Sequence, residues 1–265
     1  MKHVLFRSVV ATLLLFSTLV GTAWAASARS GALLNDPGLT AESEASMRKA
    51  TAEKEAALGI ATGGGFSILS LNKYGLQTRP VTNYRQETTY WCGPASVRQS
   101  LSFHRTDSGS SAGLPSQTTL ANKIGTTSDG SSTAAMASAL NSYNGVFGSV
   151  IYLASNITDT SNPYETFVNR IGTMLRSITV NATAPIILAQ TKYIPRYNGV
   201  SSRHYMTVSG INDNVSPMQM RSVDPHYSSA YYGVRWENVG STSTNGLCKA
   251  CYEADRAGSN RVMAW

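Results

Sequence analysis

Hydrophobic and polar positions divide the chain into three stretches of different character. From Val9 to Val20 apolar residues run almost without relief, behind Lys2 and Arg7 and ahead of Ala23-Trp24-Ala25. A basic start, a short apolar run and a small-residue cleavage pattern are the layout of a secretory signal, so residues 1–25 are read as one. The run is too short to span a bilayer with ease, and no later stretch is long or apolar enough. Residues 26–75 follow. Thr40 caps a helix predicted from Ala41 to Leu58, stopped by Gly59, with Glu44 and Arg48 paired at i,i+4. Its large apolar residues are only Met47 and Leu58, with Leu39 just before, so it lacks a core-facing stripe. The spacing predicts a surface helix, a linker or a pro-segment, and Gly63-Gly64-Gly65 a flexible joint after it.

The third stretch, residues 76–265, mixes both periodicities. Ala95, Val97 and Leu101 form a helical stripe behind Cys92-Gly93-Pro94. A loop rich in Ser and Gly covers 107–116, and Ser116 caps a short helix through Ile124 that ends at Gly125. Ser132 or Thr133 opens another through Tyr143, with Met136 and Leu140 facing inward. Val150 to Ala154 reads as a strand. Asn162-Pro163-Tyr164-Glu165 starts a helix whose buried face is Phe167, Val168, Ile171, Leu175 and Ile178. The last third is strand-like at 185–190, 204–211, 218–223, 231–236 and 261–265. Helices first and strands later predict an α+β fold rather than an alternating βαβ sheet.

Composition narrows the partners. The formal charge is +7, and without Lys2 and Arg7 it is +5, spread along the chain. No Lys/Arg run or basic stripe interleaved with aromatics is present, so nucleic-acid binding is not expected. A Gly-rich loop ending in Gly-Lys-Ser/Thr is missing too, which argues against a nucleotide-driven enzyme. No cofactor is implied. An exported chain meets oxidising conditions, where the three cysteines pair most simply as Cys248 with Cys251, leaving Cys92 as the odd thiol. The Cys-x-x-Cys pair lacks the strand-to-helix setting of a redox centre, and a structural zinc site wants four ligands, so no metal is expected.

The candidate chemistry gathers around that odd thiol. At the start of a helix, Cys92 lies in the positive end of the helix dipole, which favours thiolate over thiol. A buried small hydrophobe is the alternative for such a residue. His204 begins a strand and Asp224 ends the next one, in Arg221-Ser-Val-Asp224-Pro225. Antiparallel neighbours can set the two side chains together, with the carboxylate orienting the imidazole and the other ring nitrogen left to face a thiol. Gln86, six residues before Cys92, is placed to join the Cys92 backbone N–H in holding an oxyanion. Of the competitors, His226 is read as substrate-binding or superficial, His104 as structural, Asp213 as a turn former, and Tyr90 and Trp91 as cleft walls or packing.

The series Gln86, Cys92-Gly93-Pro94-Ala95, Gly125-Thr-Thr-x-x-Gly130, His204-Tyr-x-x-Val208-x-Gly210 and Asp224-Pro225 resembles the papain-like cysteine peptidases related to the double-glycine, bacteriocin-leader-processing enzymes, over roughly residues 81–230. The resemblance implies a papain-like fold of two lobes, a helical one led by the nucleophile helix and an antiparallel sheet bearing His204 and Asp224. It also implies Cys92 as nucleophile, His204 and Asp224 completing the triad, and Gln86 lining the oxyanion hole. The chain departs from the best-known leader peptidases in carrying neither membrane spans nor an ATPase motif. The expectation is a secreted, monomeric cysteine peptidase acting on peptide or protein substrates. Two alternatives stay open: an acyl- or aminoacyl-transferase using the same triad, and a non-catalytic exported binding module.

Overall fold

The computed structural model describes residues 31–60, 73–177 and 182–265. The expected signal segment 1–25, the expected joint at Gly63-Gly64-Gly65 and Ile178 lie outside the described residues. Within them the chain forms helices α1 (Ala41–Ala57), α2 (Cys92–Ser108), α3 (Gln117–Ile124), α4 (Thr133–Asn141), α5 (Pro163–Arg176) and α6 (Leu247–Arg256). The strands are β1 (Leu76–Thr78), β2 (Ala154–Ser155), β3 (Ile186–Gln190), β4 (Arg203–Asn212), β5 (Gln219–Asp224), β6 (Gly233–Asn238) and β7 (Met263–Ala264). The mixture of helices and antiparallel strands is the α+β class that the patterning predicts.

Local chemistry accounts for most boundaries. The side chains of Thr40, Ser116, Ser132 and Asn162 each accept from a backbone N–H of the first turn of α1, α3, α4 and α5, and Pro163 occupies the first position of α5. Gly109 and Gly125 close α2 and α3 in the left-handed conformation, at φ 65° and 72°. Two elements escape the sequence reading. One is the three-residue β1. The other is α6, whose buried Leu247, Ala250, Cys251 and Ala254 follow helical spacing but are small enough to read as a loop.

The strands form one sheet in the order β2-β7-β3-β4-β5-β6, antiparallel throughout. β4 is its centre. Its N-terminal half pairs with β3 from Ala189↔His204 to Ile186↔Thr207, its C-terminal half pairs on that same edge with β1, and β5 lies along the other edge. Every β4 residue from Arg203 to Ile211 is buried, so both faces of the strand are covered. Helix α2 packs on β4 and carries α3 and α4 against itself, while α6 packs on β3. One buried polar cluster in this core is fully partnered: the Tyr152 hydroxyl meets Ser100 Oγ at 2.7 Å and His104 Nε2 at 2.9 Å. Burial pulls the His104 pKa down to about 4, so the ring stays neutral as a structural hydrogen-bonding group.

Helix α1, which has no apolar stripe, docks instead through polar side chains. Arg170 Nε donates to Glu55 Oε1 at 2.7 Å with both side chains almost completely buried, and Thr51 Oγ1 meets Ser155 Oγ at 2.9 Å. Lys54 Nζ donates to the Trp265 carbonyl at 2.7 Å. An ion pair removed from water is tolerated only while complete, because a lone buried charge is costly. Glu55→Ala should therefore strand Arg170 and lower the unfolding free energy by about 3–5 kcal/mol in urea denaturation. A change below about 1 kcal/mol would mean that α1 is not anchored this way.

Candidate active site

The segment before α2 is tied down twice. Gln86 N–H donates to the Pro225 carbonyl at 2.7 Å, which fastens it to the corner after β5. Gln86 Nε2 then donates to the Thr88 carbonyl at 2.7 Å, and that oxygen also receives the Trp91 N–H at 3.5 Å. The Gln86 amide is thus bound to the turn that delivers the chain into α2. Its Oε1 is buried without a hydrogen-bond partner.

Cys92 is the first residue of α2, and no side chain caps the helix above it. Gly93 is required by packing: a Cβ there would lie 2.3 Å from Ser131 Oγ and 3.2 Å from Met136 Sδ, so the loop before α4 can press against the α2 N-terminus only over a glycine. Pro94 occupies the first turn, where its missing N–H costs nothing. The Cys92 sulfur has no solvent exposure and accepts the Tyr205 N–H of β4 at 3.3 Å.

One residue before Tyr205, His204 projects from β4 beside the end of β5. Thr207 is in register with Val223. An antiparallel pair so aligned carries His204 and Asp224 on one face, and His204 Nε2 lies 2.8 Å from Asp224 Oδ1. With Nε2 engaged, Nδ1 is the ring nitrogen left to face the Cys92 sulfur, whose proximity favours the charged imidazole. Burial alone would discharge His204, but Asp224 and the neighbouring sulfur outweigh it and push its pKa up to about 10.

Asp224 is wholly buried and accepts four donors. Oδ1 takes His204 Nε2 and, at 2.8 Å, the His226 N–H; Oδ2 takes Arg196 Nη2 and, at 2.6 Å, the Tyr197 hydroxyl. Burial opposes its charge, yet His204, Arg196 and Tyr197 together hold the carboxyl well below the usual carboxylate range. Arg196 is itself braced by Glu237. Sequence reading missed Arg196 and Tyr197. Their one signal is Pro195, which begins the single 3₁₀ turn Pro195–Tyr197 that presents both.

The other candidates fall elsewhere. His226 is buried, its ring centroid 5.2 Å from that of His204, and its Nδ1 accepts the Ser228 N–H at 2.9 Å. Burial and the His204 charge pull its pKa down to about 4, so it is a neutral packing partner rather than a surface group. The Asp213 carboxylate accepts the Tyr74 and Gly75 N–H groups at 2.8 and 2.6 Å, far along β4 from the thiol. Tyr90 and Trp91 are half-buried and meet edge to face. The bridge expected between Cys248 and Cys251 is absent: both are free, buried thiols three residues apart on α6, and Cys251 Sγ faces the Val262 carbonyl at 3.7 Å. Burial raises both, Cys248 to about 12. Both therefore stay protonated and unreactive. Among the described residues no cluster of three or more His, Cys, Asp or Glu side chains is arranged to hold a metal ion, and no helix is long and apolar enough to cross a membrane.

No curated protein matches the chain. The model of the Peptidase_C39 like family does, over residues 78–244, a span that runs from β1 past β6 and takes in Gln86, Cys92, His204 and Asp224. With well over half of the 265 residues inside that match, the chain belongs to the Peptidase_C39 like family and is a relative of the papain-like cysteine peptidases.

Proposed function

We propose that the protein is an exported cysteine peptidase that hydrolyses peptide bonds through Cys92, His204 and Asp224, with Gln86 at the oxyanion. The observation that carries this reading is the His204 imidazole, set between the Asp224 carboxylate at 2.8 Å and the Cys92 thiol at a helix N-terminus. That order of groups is what a thiol nucleophile needs: a base within reach, and a third group that orients the base. In this reading α2 to α4 form the helical lobe of a papain-like pair and the sheet forms the other, with the cleft between them.

The Cys92 thiolate, paired with the His204 imidazolium, attacks an amide carbonyl carbon. The developing oxyanion is held by the Cys92 N–H and by the Gln86 Nε2 hydrogen that Thr88 does not take. His204 then gives its proton to the leaving amine, the C–N bond breaks, and a thioester remains. A water molecule, losing its proton to His204, hydrolyses the thioester and restores the thiol. Asp224 keeps Nε2 protonated throughout, which leaves Nδ1 to carry the mobile proton. The Arg196 and Tyr197 donors keep that carboxylate charged and immobile inside the protein.

Cys92→Ala should abolish hydrolysis of a peptide library, by at least about 10³-fold, with the circular dichroism spectrum unchanged. An alanine variant that cleaves as well as the parent disproves the assignment. The pH profile gives a second check. A histidine raised above its unfolded value of 6.5 contributes its ion-pair stability fully below that value, and loses it as the pH rises through about 10. Hydrolysis should accordingly persist through neutral pH and fall as the pH passes about 10. In Asp224→Asn the fall should move to lower pH by about one unit or more, because the strongest group holding the proton on His204 is gone. An alkaline limb that stays in place in that variant would show that Asp224 does not set the charge of His204.

A further inference from the structure

The thiol has no solvent exposure, and the chain's own segment beginning at Gly31 comes directly against it. Residues 31–36, ahead of α1, run between the loop at Ser131 and the turn at 258–260. Gly31 N–H donates to the carbonyl of Arg203, the residue before His204, at 3.2 Å. Ser131 N–H donates to the Gly31 carbonyl at 3.2 Å and Leu33 N–H to the Ser131 carbonyl at 3.1 Å, which makes Ala32 and Ser131 a parallel β-bridge. Asn260 then holds the segment through Nδ2 to the Leu33 carbonyl at 2.8 Å and through its own N–H to the Leu34 carbonyl at 3.1 Å. Asp36 N–H donates to Ser259 Oγ at 3.2 Å.

Glycines make this close approach sterically feasible. A Cβ on Gly31 would stand 2.2 Å from Cys92 Sγ, so any other residue must displace the segment or the thiol. Gly130, at φ 112°, would drive a Cβ to 2.5 Å from the Ala32 nitrogen, and a Cβ on Gly258 would fall 2.1 Å from the Leu34 carbonyl. Two glycines from separate parts of the chain, Gly130 and Gly258, therefore converge on a short strap that itself meets the thiol through a glycine. At the end nearest the thiol, Gly31 to Leu33, its hold on Arg203 and Ser131 is main chain to main chain, the mode in which proteins bind peptides at a strand edge. Further along, Asn260 and Ser259 add side-chain contacts.

Resting on the peptidase reading above, we propose that residues 31–36 are a self-inhibiting strap. They occupy the backbone-recognition groups of the cleft, the Arg203 carbonyl and both main-chain groups of Ser131, and shield the Cys92 sulfur until the strap is displaced. The Gly31 carbonyl oxygen is already satisfied by Ser131 N–H, so the strap lies in the cleft as a plug. Helix α1 follows it directly and is fastened to the body by the Glu55–Arg170 pair. The strap is thus held at both ends, by hydrogen bonds at the cleft and by a buried ion pair beyond it.

The test is the rate at which iodoacetamide labels each cysteine of the folded full chain, read by mass spectrometry of its peptides. In the parent, Cys92 should label at least 10-fold more slowly than in the denatured chain. Gly31→Val, which places methyl groups against the sulfur, and Leu33→Pro, which removes the N–H donated to Ser131, should each speed labelling of Cys92 by 10-fold or more. Cys248 and Cys251, buried elsewhere, should stay protected and certify that a variant is folded. Labelling of Cys92 in the native parent at the rate of the denatured chain overturns the strap, and this result does not depend on any variant. Equal Cys92 rates in the parent and in a folded variant overturn it too. Peptide hydrolysis separates the two ideas: a variant with fast Cys92 labelling and no hydrolysis defeats the peptidase reading and leaves the strap standing, whereas a parent that hydrolyses as fast as the opened variants defeats the strap alone.

Discussion

A carboxylate with no contact to water stays ionised only if the protein replaces its hydration, and the arrangement around Asp224 is built to do so. Four donors from separate pieces of chain converge on its two oxygens: the His204 ring, the His226 N–H, the Arg196 guanidinium and the Tyr197 hydroxyl. Leaving one such group unpaired costs more than a good pair contributes, so the cluster is held together by the penalty of its own disruption. The consequence reaches the thiol. A charged Asp224 keeps His204 charged, and a charged His204 stands beside Cys92.

The same site is shaped by what is missing from certain side chains. Gly93 lets the Ser131 loop touch the N-terminus of α2, and Gly31 lets the segment ahead of α1 touch the sulfur. Both contacts run through Ser131, which bonds to the strap by its main chain while its hydroxyl meets Thr126 Oγ1 at 2.9 Å. Tyr205 gathers the neighbouring elements, its hydroxyl bonded to Thr133 Oγ1 at 2.8 Å and to Asn260 Nδ2 at 3.0 Å, while its N–H is spent on Cys92. The surroundings of the thiol are therefore a junction of β4, the loop before α4 and the turn before β7, and access to the sulfur is a property of the whole junction.

Helix α1 follows a different logic from the rest of the core. It buries Thr51 and Glu55 where other helices bury leucine or phenylalanine. A polar interface is held by pairing rather than by area removed from water, so it is specific in geometry and weakly sticky once a pair is broken. A segment that must be secure in one state and released in another is well served by such contacts.

Sequence alone determined the elements whose signals are local. Caps at Thr40, Ser116, Ser132 and Asn162, the stop at Gly125, and the apolar, strand-like runs along β3, β4 and β5 depend on neighbours a few residues apart, so they were legible in order and nearly in extent. Cys92, His204, Asp224 and Gln86 stood out because each carries distinctive chemistry at the edge of such an element. The tertiary structure alone decided what depends on distant partners. Arg196 and Tyr197 gained their role from a 3₁₀ turn folding over β5; α6 formed because its small residues found β3; and Cys248 and Cys251, predicted to be bridged, were instead buried separately as thiols. The approach of Gly31 to Cys92, sixty-one positions along the chain, has no periodicity or motif to announce it. A glycine's fitness for such a contact lies in the space around it, and that space exists only after the chain has folded.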